Sequence, residues 1–283
     1  LINHALTGNS NITGKNGWWK EIVGKGKTIN TKKFSIISFN IPGNGFCSND
    51  FYPPDKFHLG DIANLFILAL KELKINKLHS IIGGSIGGCL TWEIAAKKPK
   101  IAKFIIPIAS DWKARDWMIA NTYLQDRILN NSRNPVQDAR IHAMTFYRSP
   151  KSLNKRFKRS YNESKEIYNV ESWLDHHGTK LNERFSLQSY KMMNKLLRST
   201  NIARGGGDFI KIASGIDSEI HLICVDSDIF FLPEDDKATF DLLSKIKKDI
   251  YCHEINSIHG HDGFLIETKQ ISNIFTKIFK REK

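Results

Sequence analysis

The chain predicts an α/β fold: a mostly parallel sheet with helices on both faces and a helical lid inserted late in the sheet. Three observations carry this. Five short apolar runs, rich in Ile, Val and Phe, read as strands buried on both faces. Helical patterns alternate with them, as βαβ units require. One long stretch, from about residue 111 to 211, interrupts the alternation with no clear strand.

The strand-length runs are Phe34–Phe39, Ser80–Gly83, Phe104–Ile108, Ile220–Val225 and Ile250–Ile255. Leu1-Ile2-Asn3-His4 reads as the end of a further strand, as if the chain begins inside a sheet and lacks an N-terminal part. Asp61–Leu73 places Ile62, Leu65, Phe66, Ala69 and Leu73 at helical spacing. Thr91–Lys97, Asp235–Ile246 and Gln270–Phe279 are the other helices expected beside the sheet. Gly24-Lys25-Gly26-Lys27 reads as an exposed loop. The interrupting stretch is Arg-, Asn- and Tyr-rich and mostly helical. Strand periodicity returns after Gly215, so it reads as a lid within one domain rather than a separate domain. Residues 1–110 and 214–283 would form the core, and 111–213 the lid.

The 283 residues are 41% hydrophobic and 25% charged, an ordinary globular balance. No apolar run approaches the ~20 residues that span a bilayer, so no membrane partner is expected. The four cysteines, Cys47, Cys89, Cys224 and Cys252, lack metal-ligand spacing and read as free thiols in a reducing, cytoplasmic compartment. The net charge of +13 comes from dispersed lysines, without the Arg and aromatic interleaving of a nucleic-acid surface. Short basic clusters occur at Lys155-Arg156 with Lys158-Arg159, and at Lys245 with Lys247-Lys248.

Gly83-Gly84-Ser85-Ile86-Gly87-Gly88 carries the chemistry. An apolar run precedes it and a helical pattern follows, the context of a nucleophile elbow. Only small residues fit at Gly83 and Gly87 in so tight a turn. Ser85 is forced to its tip, where the helix N-terminus and the free N–H of Ile86 favour an oxyanion. The bland alternative is a glycine-rich turn that binds phosphate or nothing.

A serine hydroxyl needs a base, and the base an orienting acid. Both should lie in loops at the C-terminal edge of the sheet. Ile220–Val225 ends in Asp226-Ser227-Asp228, where Asp228 is favoured as the acid over Asp226, a turn cap. Ile250–Ile255 leads to His259-Gly260-His261-Asp262-Gly263, where His261 is the candidate base and His259 its rival. His79, His176, His177, His221 and His253 have plain structural readings. The loop from His4 to Ser10 can supply a second oxyanion N–H. There is no H-E-x-x-H zinc motif, and Gly43-Asn44-Gly45 lacks the Lys-Ser/Thr ending of a phosphate loop.

Taken together, His4-Ala5-Leu6-Thr7-Gly8, the Ser85 elbow and Gly260-His261-Asp262-Gly263-Phe264-Leu265 resemble the homoserine O-acetyltransferases, which have the α/β-hydrolase fold. Ala139-Arg140 with Tyr147-Arg148, Glu171-Ser172-Trp173-Leu174, Arg184-Phe185 with Ser189-Tyr190, and Ser227-Asp228 with Pro233 agree in order. Departures fall at Ile41–Cys47, at Ser186-Leu187-Gln188 and at Ile86, where Met is usual. The resemblance implies acetylation of Ser85 by acetyl-CoA as cosubstrate, with no bound cofactor and no metal. It implies an oxyanion hole from Leu6 and Ile86, and transfer to L-homoserine held by Arg140 and Asp262. Succinyl- or serine-specific transfer, plain ester hydrolysis and a non-catalytic scaffold remain alternatives. The expected partners are these small molecules, with a homodimer through the lid left open.

Overall fold

Five of the apolar runs become one parallel sheet because each alternates its side chains between two cores. The structure is a computed structural model that describes residues 1–46 and 57–280. In chain order the elements begin with three two-residue strands, β1 (Ile2–Asn3), β2 (Val23–Gly24) and β3 (Ile29–Asn30). Then come α1 (Leu59–Glu72), β4 (Leu78–Gly84), α2 (Ile86–Lys97) and β5 (Ala102–Ile108). After β5 follow α3 (Asp116–Asn131), α4 (Pro135–Tyr147), α5 (Pro150–Phe157), β6 (Tyr161–Asn162), β7 (Ile167–Tyr168), α6 (Asn169–Asn182), α7 (Leu187–Arg198) and α8 (Phe209–Ser214). The chain returns to the sheet with β8 (Glu219–Val225), α9 (Pro233–Leu243), β9 (Ile250–Ile255), α10 (Gly263–Ile266) and α11 (Thr268–Lys280).

The sheet order is β1-β4-β5-β8-β9, and every pairing is parallel. In β5, Ile105 enters the core shared with α1, α2 and α9, while Phe104, Ile106 and Ile108 enter the opposite core under α11. Trp19, Ile22, Val23 and Ile29 close that second core beside Ile271, Phe275 and Ile278. Burial of such side chains, at roughly 25 cal/mol per Å² of apolar surface, drives the layering. Gly24–Lys27 forms the turn between β2 and β3, with Lys25, Gly26 and Lys27 exposed.

Two expectations are corrected. Phe34–Phe39 makes no strand ladder. Its side chains do alternate, Phe34 and Ile36 to one core and Ile37 and Phe39 to the other, so it runs extended. The neighbouring β1 has only two residues, and a single backbone bond, from Ile2 N–H to Ile37 O (2.9 Å), joins them. The stretch after β5 also contains strand structure, the β6–β7 hairpin. It is too short to show period-2 patterning, and Tyr161 and Tyr168 pack edge to face across it at 5.3 Å. Cys47 lies outside the described residues. Cys89, Cys224 and Cys252 are free thiols; Cys89 and Cys224 are buried, and Cys252 is partly so. Among the described residues no helix is long and apolar enough to cross a membrane.

Candidate active site

The site begins with a backbone that a serine adopts only under constraint. Ser85 joins β4 to α2 at φ 59°, ψ −130°, an unfavourable region for a residue with a side chain. Its neighbours enforce the turn. A Cβ on Gly83 would strike the carbonyl of Gly87, and one on Gly88 would strike Ser110. Ser85 N–H donates to Ile108 O of β5 (2.9 Å), which ties the turn to the adjacent strand. The hydroxyl is held at the sheet's C-terminal edge with only 4% of the residue exposed.

Gly87 does a second job. A Cβ there would collide with Asn3 O and His4 O, so glycine lets the loop after β1 lie directly on the elbow. Asn3 Nδ2 bonds Thr91 Oγ1 (3.2 Å) and Gly87 O (3.4 Å) across the same contact. His4 then pins the loop from inside. Its Nδ1–H donates to Ala5 O (2.8 Å), and its Nε2 accepts from Ile41 N–H (3.0 Å). Burial lowers its pKa to about 4, which keeps the ring neutral for both bonds. Arg184 closes the loop from the other side, donating to Thr7 O (2.9 Å). Among the described residues no acceptor takes the N–H of Leu6 or of Ile86. Two free backbone donors on loops that touch at the nucleophile are what an oxyanion hole needs.

His261 and Asp228 complete the hydrogen-bond chain. His261 Nε2 lies 2.9 Å from Ser85 Oγ, and its Nδ1 lies 2.6 Å from Asp228 Oδ2. With the proton on Nδ1 donated to the carboxylate, Nε2 is left to accept the serine proton. Asp228 Oδ1 accepts from the N–H groups of Phe230 (2.7 Å) and Phe231 (3.0 Å), which fixes the carboxylate's orientation. Rings of Tyr147, Phe230, Phe231 and Phe264 surround the imidazole at centroid distances of 5.1 to 5.6 Å. Asp236 approaches from the first turn of α9. Burial raises its pKa well above the usual carboxylate range, with the neighbouring Asp111 and Asp228 adding to the shift.

The rivals go elsewhere. Asp226 accepts from Ser257 N–H (2.8 Å), a turn cap. His259 Nδ1 faces Ser152 Oγ (3.0 Å) and Arg148 Nη1 (3.3 Å) on the helical side. Asp262 is engaged: its Oδ2 accepts from Arg148 Nε at 2.8 Å. Arg140, half-buried on α4, stacks over Tyr147 at 5.3 Å and makes no hydrogen bond or ion pair among the described residues. Burial, reinforced by Arg140, lowers the His177 pKa to about 4.

The sequence reading missed the bracing of this site by Arg184 and the engagement of Asp262 by Arg148. Arg184 lies 177 residues from its carbonyl partner and Arg148 lies 114 residues from its carboxylate, so no spacing rule reaches either.

Comparison with known proteins gives the family. A profile of the α/β hydrolase fold matches residues 1–211. The homoserine O-acetyltransferase of Nautilia profundicola is 29% identical, covering all of this chain and 88% of the relative. That of Chloroherpeton thalassium is 29% identical over 97% of this chain and 77% of the relative. Among solved structures, a homoserine O-acetyltransferase from Staphylococcus aureus superposes with a TM-score of 0.85 at 24% identity, covering 100% of this chain and 85% of its own. Esterase E22 superposes with a TM-score of 0.87 at 16% identity, covering 98% and 88%. The chain belongs to the α/β-hydrolase-fold family, and over its full length it is similar to homoserine O-acetyltransferases.

Proposed function

We propose that this chain is a homoserine O-acetyltransferase of methionine biosynthesis, working in the cytoplasm through an acetyl-serine intermediate. The observation that carries the acyl-enzyme step is the unbroken chain Ser85–His261–Asp228, next to the two free N–H groups of Leu6 and Ile86. Ser85 Oγ attacks the thioester carbonyl of acetyl-CoA while His261 Nε2 takes its proton. The oxyanion is held by Leu6 and Ile86, and Asp228 stabilises the imidazolium. Collapse breaks the C–S bond, and His261 returns the proton to the leaving thiolate. Homoserine's hydroxyl then attacks the acetyl-serine, with His261 again as base, and Ser85 Oγ leaves with that proton.

The acceptor reading rests on the relatives' names and on Arg140, an uncommitted guanidinium suited to a carboxylate. Asp262 would meet the acceptor's ammonium while shared with Arg148.

That sharing favours a second reading, hydrolysis, in which water deacylates Ser85. Release of free CoA from acetyl-CoA, measured with and without L-homoserine, separates the two. A strongly homoserine-dependent rate with O-acetylhomoserine as product supports transfer. Turnover indifferent to homoserine, with fast hydrolysis of p-nitrophenyl acetate, would sink it in favour of an esterase.

A further inference from the structure

The helical stretch contains a solvent-open cavity of about 870 Å³ that the chemistry above does not use. It lies between α5, the β6–β7 hairpin and α6. Arg156, Phe157, Lys165, Trp173, Asp175 and His176 line it. Three features give it a chemical preference. Arg156 spreads its guanidinium over two rings, Phe157 at 5.3 Å and Trp173 at 5.4 Å, and makes no hydrogen bond or ion pair among the described residues. Its faces are therefore covered while its N–H edge is open to an oxyanion. Among the described residues the Lys165 ammonium reaches only the Ser172 hydroxyl, at 3.4 Å. The surrounding segment from 151 to 166 holds six Lys and Arg against two Glu, and includes the basic cluster at Lys155-Arg156 and Lys158-Arg159. Phe157, Ile167 and Trp173 add flat apolar surface among these cations.

The cavity also adjoins the reacting centre. Trp173 is one of its lining residues, and Arg148 stands 5.8 Å from the centroid of that indole. Arg148 bonds Asp262, the residue after His261. One indole and one guanidinium thus separate the cavity from the triad loop. The triad itself is buried among aromatic rings, where phosphates could be held only at a large desolvation cost. A donor with a small acyl group and a phosphorylated far end has to place that end elsewhere.

We propose that this cavity binds the adenosine 3′,5′-bisphosphate end of the acyl-CoA donor, with Arg156 and Lys165 on the phosphates. The proposal rests on acetyl-CoA being the donor. It makes Arg156 and Lys165 donor-specificity residues that never touch the reacting atoms.

Two measurements test it on the full chain. In calorimetric titration, adenosine 3′,5′-bisphosphate should bind the unmodified protein and bind the double variant Arg156→Gln/Lys165→Gln on the order of tenfold or more weakly. Both side chains are exposed, so the variant should keep its fold and its p-nitrophenyl acetate turnover. In kinetics, the same variant should raise KM for acetyl-CoA by a similar factor at unchanged kcat, and leave KM for acetyl-pantetheine, which lacks the nucleotide, unchanged. Equal bisphosphate affinity in both proteins overturns the proposal, as does an equal KM change for both donors. If neither thioester acetylates Ser85 but the bisphosphate still distinguishes the two proteins, the nucleotide site stands and the transferase reading fails.

Discussion

The sheet's C-terminal edge commits most of its polar side chains, whereas the helical stretch between β5 and β8, although it engages Arg148 and Arg184, leaves two guanidinium groups uncommitted. At the sheet edge nearly every group is spoken for: Ser85 with His261, His261 with Asp228, Asp228 with two backbone donors, His4 with Ala5 and Ile41. Among the described residues the exceptions there include the N–H groups of Leu6 and Ile86, Asn3 Oδ1 and Ser110 Oγ. On the helical side, the guanidinium groups of Arg140 and Arg156 lie over aromatic faces and have no hydrogen-bonded partner among the described residues. The contrast separates two tasks. Bond-making chemistry needs groups held before substrate arrives, because reorganisation at the moment of reaction costs rate. Selection of substrates needs groups that remain uncommitted until they meet the right charge.

The comparison breaks first at Ser85. Replacing Ser85 by Ala should lower acyl transfer on the order of 10³-fold or more, with the melting temperature little changed. Mass spectrometry should find the acetyl group on the unmodified protein alone. A variant that kept its activity would remove the sheet edge from the chemistry altogether.

His4 tests whether the sheet edge is held by its buried bonds. The fold keeps this ring neutral down to a pKa of about 4, against 6.5 when exposed, so as pH falls the unfolded chain takes up the proton first. Its contribution is complete above about pH 6.5 and is lost between there and about pH 4, a loss of about 3 kcal/mol. Denaturant melts across that range should show the slope, and His4→Gln should flatten it. An identical slope in the variant would remove His4 from the account.

Gly87→Ala sharpens the geometric half of the comparison. The added methyl collides with the carbonyls of Asn3 and His4 and must push the oxyanion loop away from Ser85. A fall in kcat of roughly 10²-fold is expected, the scale of losing one oxyanion donor, together with a lower melting temperature. Wild-type kcat in this variant would show that the loop after β1 contributes nothing to the oxyanion.

The smallest effect belongs to the helical side. Arg140→Gln should raise KM for homoserine by about tenfold, the scale of one charge-assisted hydrogen bond, and leave p-nitrophenyl acetate hydrolysis intact. An equal loss with both substrates would place Arg140 with the catalytic groups and erase the distinction drawn above.

Much of the sheet edge was readable in the chain. Glycine at 83 and 87 around a serine between apolar and helical patterns has few structural solutions. The strand-end loops carrying Asp228 and His261 follow directly from the nearly continuous apolar runs before them. Phe34–Phe39 reads as a strand because an apolar run reports burial on two faces, and these residues do enter two cores without completing a ladder. The β6–β7 hairpin, two residues per strand, is shorter than any period.

The sequence by itself determined the strands of the central sheet, the elbow, and Ser85, Asp228 and His261 as candidates, since each rests on neighbours within a few residues. Tertiary structure alone decided that Asp228 and not Asp226 meets the imidazole, and that His259 turns toward Ser152 and Arg148. It also decided that Asp262 is taken by Arg148 while Arg140 stays uncommitted, and that Arg184 braces the oxyanion loop. The Asp228–His261 pair joins loops 33 residues apart, and the contacts of Arg148, His259 and Arg184 join segments more than a hundred residues apart, so no local pattern encodes them.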